Sequence, residues 1–387
     1  MARHLDRRGA HLVRAARLER LPYVRVALWF ALLAAAVFVV RGARAEPYIA
    51  VATGFKCVQC HTNPDGGGKR KPFGIAYAQA ELAQRVVAKG GADQWTGDVN
   101  RFLAIGGDLR SGLDYTDIGG STPGADETSD FGVSRAGVYL ELRAIPDLLT
   151  FYVDEQLAPG STLNREAYAL LTAANGKYTV KAGKFFLPFG WRLQDDSAFV
   201  RAVTGVNFNT PDNGVELGLE LPKWSAQVAV TNGTAGAPDV DTGKQLSLSA
   251  SYVKSRWRVG ASANTNNAEL GDRDMYGVFA GVRTGPVSWL TELDRVTDKT
   301  PLGDVDQDVT LLEADWRIAK GHNLKITYEW HDPTGASDDE LERYSLVWEY
   351  SPMQLMQARI GWRAYDGVPS VPATNRDEVF AELHVYF

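Results

Sequence analysis

The chain has 387 residues, with 41 Lys and Arg against 47 Asp and Glu, a formal net charge of −6 and only two cysteines. That length suits two or three ordinary domains, or one long all-β barrel. The acidic balance argues against nucleic acid as a partner and favours cations or basic proteins.

The first 25 residues carry seven arginines, and "VALWFALLAAAVFVV" follows as an apolar run from Val26 to Val40. The run is short for a membrane span and ends in "RGARA", with Ala43 and Ala45 at the small positions that precede a cut. Residues 1–45 therefore read as a secretory signal peptide cleaved after Ala45, the alternative being a retained anchor. Nine of the basic and two of the acidic residues lie in this leader, so the mature chain has 32 against 45, a net charge of −13. No later segment reaches the roughly 20 apolar residues of a membrane helix. A mature protein that crosses a membrane must then do so as a closed β-barrel.

Both cysteines fall in "FKCVQCHTNPDGGGKRK", where Cys57, Cys60 and His61 form C-x-x-C-H. This is the pattern of a c-type haem attachment site. Two thiols three residues apart can each add to a vinyl group of one porphyrin, and the adjacent imidazole reaches the iron as its proximal ligand. A redox-active C-x-x-C without haem is the competing reading, but no thioredoxin-like βαβ pattern surrounds it. Export and covalent haem agree with each other, because bacterial c-type attachment is completed beyond the inner membrane. One haem c is the cofactor expected. Downstream, "KPFGIAYAQAELAQRVVAKGG" has apolar residues at roughly helical spacing and predicts one short helix stopping at Gly90-Gly91.

From about Arg101 to the end the period changes to two. "GVELGLEL" sets Val215, Leu217, Leu219 and Leu221 against Glu216, Gly218 and Glu220, and "QLSLSASYV" repeats the scheme. A soluble sandwich alternates in the same way, but the links between strands discriminate. Short links such as "AANGK", "LPKW" and "VKSR" take turns with long ones such as "FLPFGWRLQDDSAFVRAVTGVNFNTPDN", the rhythm of short periplasmic turns and long outer loops. Asn175-Gly176 is a tight hairpin signal. The prediction is about sixteen antiparallel strands in an outer-membrane β-barrel, in contact with membrane lipid. Trp289, Trp316, Trp330, Trp348 and Trp362 fall on the faces assigned to lipid. The chain ends on an apolar face, Val379, Ala381, Leu383, Val385 and Phe387, resembling the terminal signal by which such barrels are recognised for assembly. Three parts result: a leader at 1–45, a monohaem segment at 46–100, and a barrel at 101–387. The segment between leader and barrel is short for a core of its own, and folding up as a lumen plug supplies the missing burial.

Laid out in this order, the chain resembles the fused outer-membrane cytochrome–porin family of iron-oxidising bacteria. The local likeness is "AEPYIAVATGFKCVQCH", with Pro47, Ala50, Gly54, Cys57, Cys60 and His61, followed by Phe73-Gly74. It departs in lacking an Arg just before the haem motif and in carrying "GGGKRK" after it. "GKFFLPFGWRLQDDSAFVR" also looks like phosphate-selective-type porins. The resemblance implies electron transfer across the outer membrane between an extracellular donor such as Fe(II) and a periplasmic c-type cytochrome or other soluble carrier, an Fe(II):cytochrome oxidoreductase. The alternatives are a diffusion porin with a tethered periplasmic cytochrome domain, and outward transfer to an extracellular acceptor.

Other candidates follow from chemistry and alternation. His384 shares a face with Glu382 and Tyr386 and points into the lumen, the first choice for a distal haem ligand. His331, Met275 and Met353 are the other choices by position. Lys69, Arg70 and Lys71 stand out in an acidic protein as contacts for haem propionates or an acidic partner, or as a solvated loop. Asp304, Asp306 and Asp308 offer the hard oxygen ligands that attract divalent cations, or plain loop charge.

Overall fold

The computed structural model describes residues 46–86, 95–118, 127–268, 271–336, 338–368 and 371–387. The expected leader, its cleavage point and the helix stop at Gly90-Gly91 lie outside the described residues. Sixteen antiparallel strands close into one barrel, from β1 (Leu103–Asp117) to β16 (Asp377–Tyr386), each paired with its neighbours in sequence. The closing seam sets Leu113 against Ala381 and Asp108 against Tyr386. It is extended by two backbone bonds between Gly107 and Phe387, of 3.0 and 3.1 Å.

The period-two pattern dictates this wall. In β6 (Asp212–Glu220) Val215 and Leu217 are exposed while Glu216 between them is buried. In β13 (His322–Asp332) Lys325, Thr327 and Glu329 are buried, and Ile326 faces out. The apolar face thus looks outward and the charged face inward, an arrangement that only lipid outside and a polar lumen inside make favourable. All five tryptophans assigned to lipid alternate with buried lumen residues, and Trp289, Trp316 and Trp362 are well exposed. The hairpin at Asn175-Gly176 joins β4 (Leu163–Ala173) to β5 (Tyr178–Phe185) with positive φ at both residues.

Two segments fill the lumen. The first is the N-terminal one, with α1 (Pro47–Thr53), α2 (Cys57–Cys60), α3 (Pro72–Tyr77) and a π-helical turn at Ala78–Leu82. One helix was expected, and three short ones form. Each is too short to be stable alone, and the wall supplies the packing. Tyr48, Ile49 and Val51 join one buried cluster with Trp191, Phe279 and Leu290. Ions and polar groups hold the rest. Lys56 pairs with Glu220 at 3.0 Å, Lys69 with Glu141 at 3.0 Å, Asp65 with Lys181 at 2.7 Å, and Glu46 with Lys325. Asn63 donates to Glu166 at 2.7 Å and Thr62 to Glu141 at 2.9 Å. Lys56 also reaches the carbonyls of Leu221 and Trp224, on the turn between β6 and β7 (Trp224–Thr231), so the plug sits against the short-turn end of the barrel. It forms one compact unit with the barrel.

The second is the long link between β5 and β6, expected as an outer loop. It folds inward instead. Its Phe186, Trp191 and Val200 are buried, and it carries a one-turn helix, α4 (Phe199–Ala202). Trp191 donates from its backbone to Glu292 at 2.9 Å and from its indole to the carbonyl of Thr291 at 3.0 Å. Asp195 meets Arg343 at 3.1 Å and Arg363 at 2.8 Å across the lumen. The apolar run "FLPFGW" needs burial, and the lumen is where this link finds it.

Candidate functional site

The C-x-x-C-H residues sit inside the barrel. Cys57 and Cys60 are one helical turn apart on α2, the i, i+3 spacing that puts two side chains on one face. His61 leaves the turn in extended conformation, its amide bonded to the Cys57 carbonyl at 2.9 Å. A second local feature fixes the turn. Gly74 lets α3 rest directly on it, since a Cβ there would lie 2.3 Å from the Cys60 carbonyl oxygen. Phe55 packs edge-on to Phe73 and Tyr77, with ring centres 5.2 and 5.8 Å away. Phe73-Gly74, singled out by resemblance, thus has a packing reason.

Cys57, Cys60 and His61 all line one cavity of about 140 Å³, partly open to solvent. Its apolar walls come from Ile49, Phe55 and Tyr77 of the plug, Phe189 and Trp191 of the inward loop, and Phe279 of β10 (Arg273–Thr284). Arg70, Arg192 and Arg258 add cations. Both thiols are free. Burial pushes Cys57 up, and pushes Cys60 up to about 11. Burial, followed by the Arg70 charge, lowers His61 to about 3, so its imidazole is neutral at any physiological pH. Neutral imidazole is the form that ligates a metal.

The donor set suits a haem. Two thiols, a neutral imidazole and flat apolar walls match the porphyrin and its iron, and the cations match its carboxylates. The Nε atoms of Arg70 and Arg258 are buried without a hydrogen-bond partner, as is His61 Nδ1. Orphaned guanidinium N–H groups inside a protein are costly, and a ligand carboxylate satisfies them with charge-assisted bonds.

Other sequence candidates are placed differently. Of the three basic residues, only Arg70 lines the cavity, with its guanidinium 4.3 Å over the Tyr386 ring. Lys69 is buried in its pair with Glu141, and Lys71 donates to the Val58 carbonyl at 2.9 Å, so both hold the plug together rather than face a ligand. His384 does point into the lumen, but it lies against Asp108 at 3.7 Å and beside the tilted Tyr386 ring, off the cavity. None of His322, His331, His384, Met275, Met353 and Met356, all described, is among the lining residues. His331 lies near the Phe199 ring, and Met275 packs with Leu187 and Phe189.

Asp304, Asp306 and Asp308 are corrected too. They alternate with buried Val309 and Leu311 on β12 (Gly303–Ala319), so they occupy the outward face rather than the pore mouth. Asp308 pairs with exposed Arg295 at 2.6 Å, and Asp306 accepts from Thr297 at 2.7 Å. Among the described residues no group of three His, Cys, Asp or Glu is arranged to hold a metal ion.

A second space opens beside the plug. Gly68, Asp108, Arg110, Arg135, Asp195 and Arg363 are among the residues lining a charged vestibule of about 320 Å³. Sequence reasoning missed it, because its lining comes from β1, β2 (Glu127–Ile145), β15 (Met356–Asp366), β16 and the inward loop together.

Sixteen antiparallel strands, an outward apolar face and a loop folded into a charged lumen define an outer-membrane β-barrel of the porin class. The model of the Gram-negative porin family matches residues 74–353, and the chain belongs to that family. The C-x-x-C-H motif lies before the matched region. Solved structures agree in fold. The chain is similar to OprB of Pseudomonas putida, with a TM-score of 0.61 at 10% identity over 74% of this chain and 94% of that one. It is similar to a loop-deletion mutant of OmpT of Vibrio cholerae, with a TM-score of 0.59 at 15% identity over 74% and 99%. An anion-selective porin from Comamonas acidovorans gives a TM-score of 0.57 at 13% identity over 74% and 99%. No curated protein matches the sequence.

Proposed function

We propose that this porin-family barrel carries one covalent haem c in its plug and moves electrons, rather than solutes, across the outer membrane. The observation that carries the reading is that C-x-x-C-H lines a cavity within the lumen, beside buried guanidinium N–H groups with no partner. Cys57 and Cys60 would hold the group as thioethers, His61 would ligate its iron, and Arg70 and Arg258 would bind its carboxylates. Bound there, haem supplies one-electron uptake and release. The plug residues fix its position. Gly74 brings α3 onto α2, and the ion pairs of Lys56, Lys69 and Asp65 tie the segment to the wall. The inward loop contributes Phe189 and Trp191 to the same cavity's lining. An apolar band of about 25 Å is too tall for one group to bridge from rim to rim, so lodging in the lumen serves this role better than hanging below the barrel. The partners are an extracellular one-electron donor such as Fe(II) and a periplasmic c-type cytochrome or other soluble carrier. Outward transfer uses the same parts in reverse.

Covalent haem tests the reading directly. The purified protein should keep a haem-peroxidase stain through a denaturing gel, and the Cys57→Ala, Cys60→Ala double variant should lose it while still migrating as a heat-modifiable barrel. No stain on the parent protein, expressed with c-type maturation, overturns the proposal. The porin-family match and the porin neighbours favour a second reading, a diffusion channel with the C-x-x-C-H segment as an accessory. In planar bilayers that channel conducts steadily with the plug in place, whereas the electron-conduit reading expects conductance only after residues 46–86 are removed.

A further inference from the structure

Three consecutive glycines, Gly66, Gly67 and Gly68, follow the C-x-x-C-H turn, with φ of +91°, +76° and +59°. This left-handed run suits glycine alone. Its position has a further consequence. Gly66 and Gly67 line the cavity of Cys57, Cys60 and His61, while Gly68 lines the charged vestibule. A single pass of backbone without side chains therefore separates the two spaces. It has no room for anything thicker. A Cβ at Gly66 would lie 3.3 Å from Cys57 Sγ, one at Gly67 3.0 Å from Phe208, and one at Gly68 2.3 Å from Tyr152 Oη. Phe208 lines the vestibule and Arg192 the cavity, and both flank Gly67.

Resting on the haem reading above, we infer that this triglycine strip is the partition across which a small hydrophilic electron donor, docked in the vestibule, meets the cofactor cavity. The vestibule lining selects the class of donor. Asp108, Asp154 and Asp195 face Arg110, Arg135 and Arg363 there, a mixed-charge wall suited to a hydrated or chelated ion. An apolar quinone finds little to bind there. The step is an outer-sphere transfer: the donor loses one electron, the ferric iron gains it, and no atom or proton moves.

Ser134 provides the test. Its hydroxyl donates to Glu382 at 3.1 Å on the vestibule wall, away from the plug ligands. In the detergent-purified holoprotein of Ser134→Cys, the two native cysteines are held as thioethers, so a maleimide labels one thiol. A nitroxide there should relax faster with ferric than with ferrous haem. Reduction of the haem by hexaammineruthenium(II) in stopped flow, compared in the same variant before and after labelling, should slow several-fold once a bulky maleimide fills the vestibule. A labelled protein reduced as fast as the unlabelled one, or a nitroxide blind to the iron, overturns the partition while leaving the haem reading standing. Three reactive thiols and no haem band would overturn both together.

Discussion

Gly74 is the smallest residue with a large local effect. A methyl group there collides with the Cys60 carbonyl at 2.3 Å. Gly74→Ala should therefore cost about 1–3 kcal/mol of plug packing, read as early proteolysis of the segment and poor haem yield in an intact barrel. Lys181 is more demanding. It lies fully buried between Asp65 at 2.7 Å and Glu216 at 2.9 Å, joining plug to wall. Lys181→Met leaves two carboxylates buried without their cation, an expected loss of about 3–5 kcal/mol, checked by the denaturant concentration at which the plug becomes protease-sensitive. Asp195 carries a pH prediction. Burial raises its carboxyl, but Arg363 and Arg343 outweigh burial and hold it well below the usual range. A depressed pKa contributes stability that is complete above the unfolded value, about 3.9, and is lost only as pH falls through the folded one. Lowering the pH from 7 to about 4 should leave the inward loop docked, whereas Asp195→Asn should free it at neutral pH. Protease access to the 186–211 link from outside distinguishes the two.

At the scale of elements, the strands were legible because a residue's neighbours two positions away decide its face, and lipid outside a polar lumen enforces that period along the whole strand. The short helices were not. α1 and α2 span seven and four residues, below the length at which helical periodicity can be read, and their stability comes from Trp191, Phe279 and the wall carboxylates. The link between β5 and β6 reads as a loop by composition, yet its run of Phe186, Leu187, Phe189 and Trp191 is too apolar for solvent. That density was the available signal for an inward fold. The plug is separable from the wall in principle, because the sixteen strands close the barrel by pairing with one another. Deleting residues 46–86 should give a barrel that still assembles and now conducts, measured by single-channel recording against the silent parent.

For the molecule as a whole, closure depends on the end of the chain. Phe387 makes two backbone bonds to Gly107 beside the β1–β16 seam. Removing Phe387 deletes both and leaves the first strand with unpaired polar groups at its edge, costly against lipid. The expected outcome is slower appearance of the heat-modifiable form in an assembly time course, with an unchanged fold once formed. The plug and inward loop together fill much of the lumen of a porin-family wall. They replace a water-filled passage by a cavity and a vestibule that meet at three glycines.

The sequence by itself determined the barrel, its strand number and the direction each strand residue faces. Those properties depend on alternation and on near neighbours, which a linear chain states openly. It also located Phe73-Gly74 without its reason. Only the tertiary structure decided which residues share a space. His384 points inward as its alternation requires, yet it meets Asp108 and not the cavity, because facing the lumen says nothing of where around the wall a strand lies. Asp304, Asp306 and Asp308 form a cluster in sequence but alternate onto the outer face. Arg192, Arg258 and Phe279 line the site from three separate segments. Such encounters arise from closure of sixteen strands around a folded-in segment, and no local pattern encodes them.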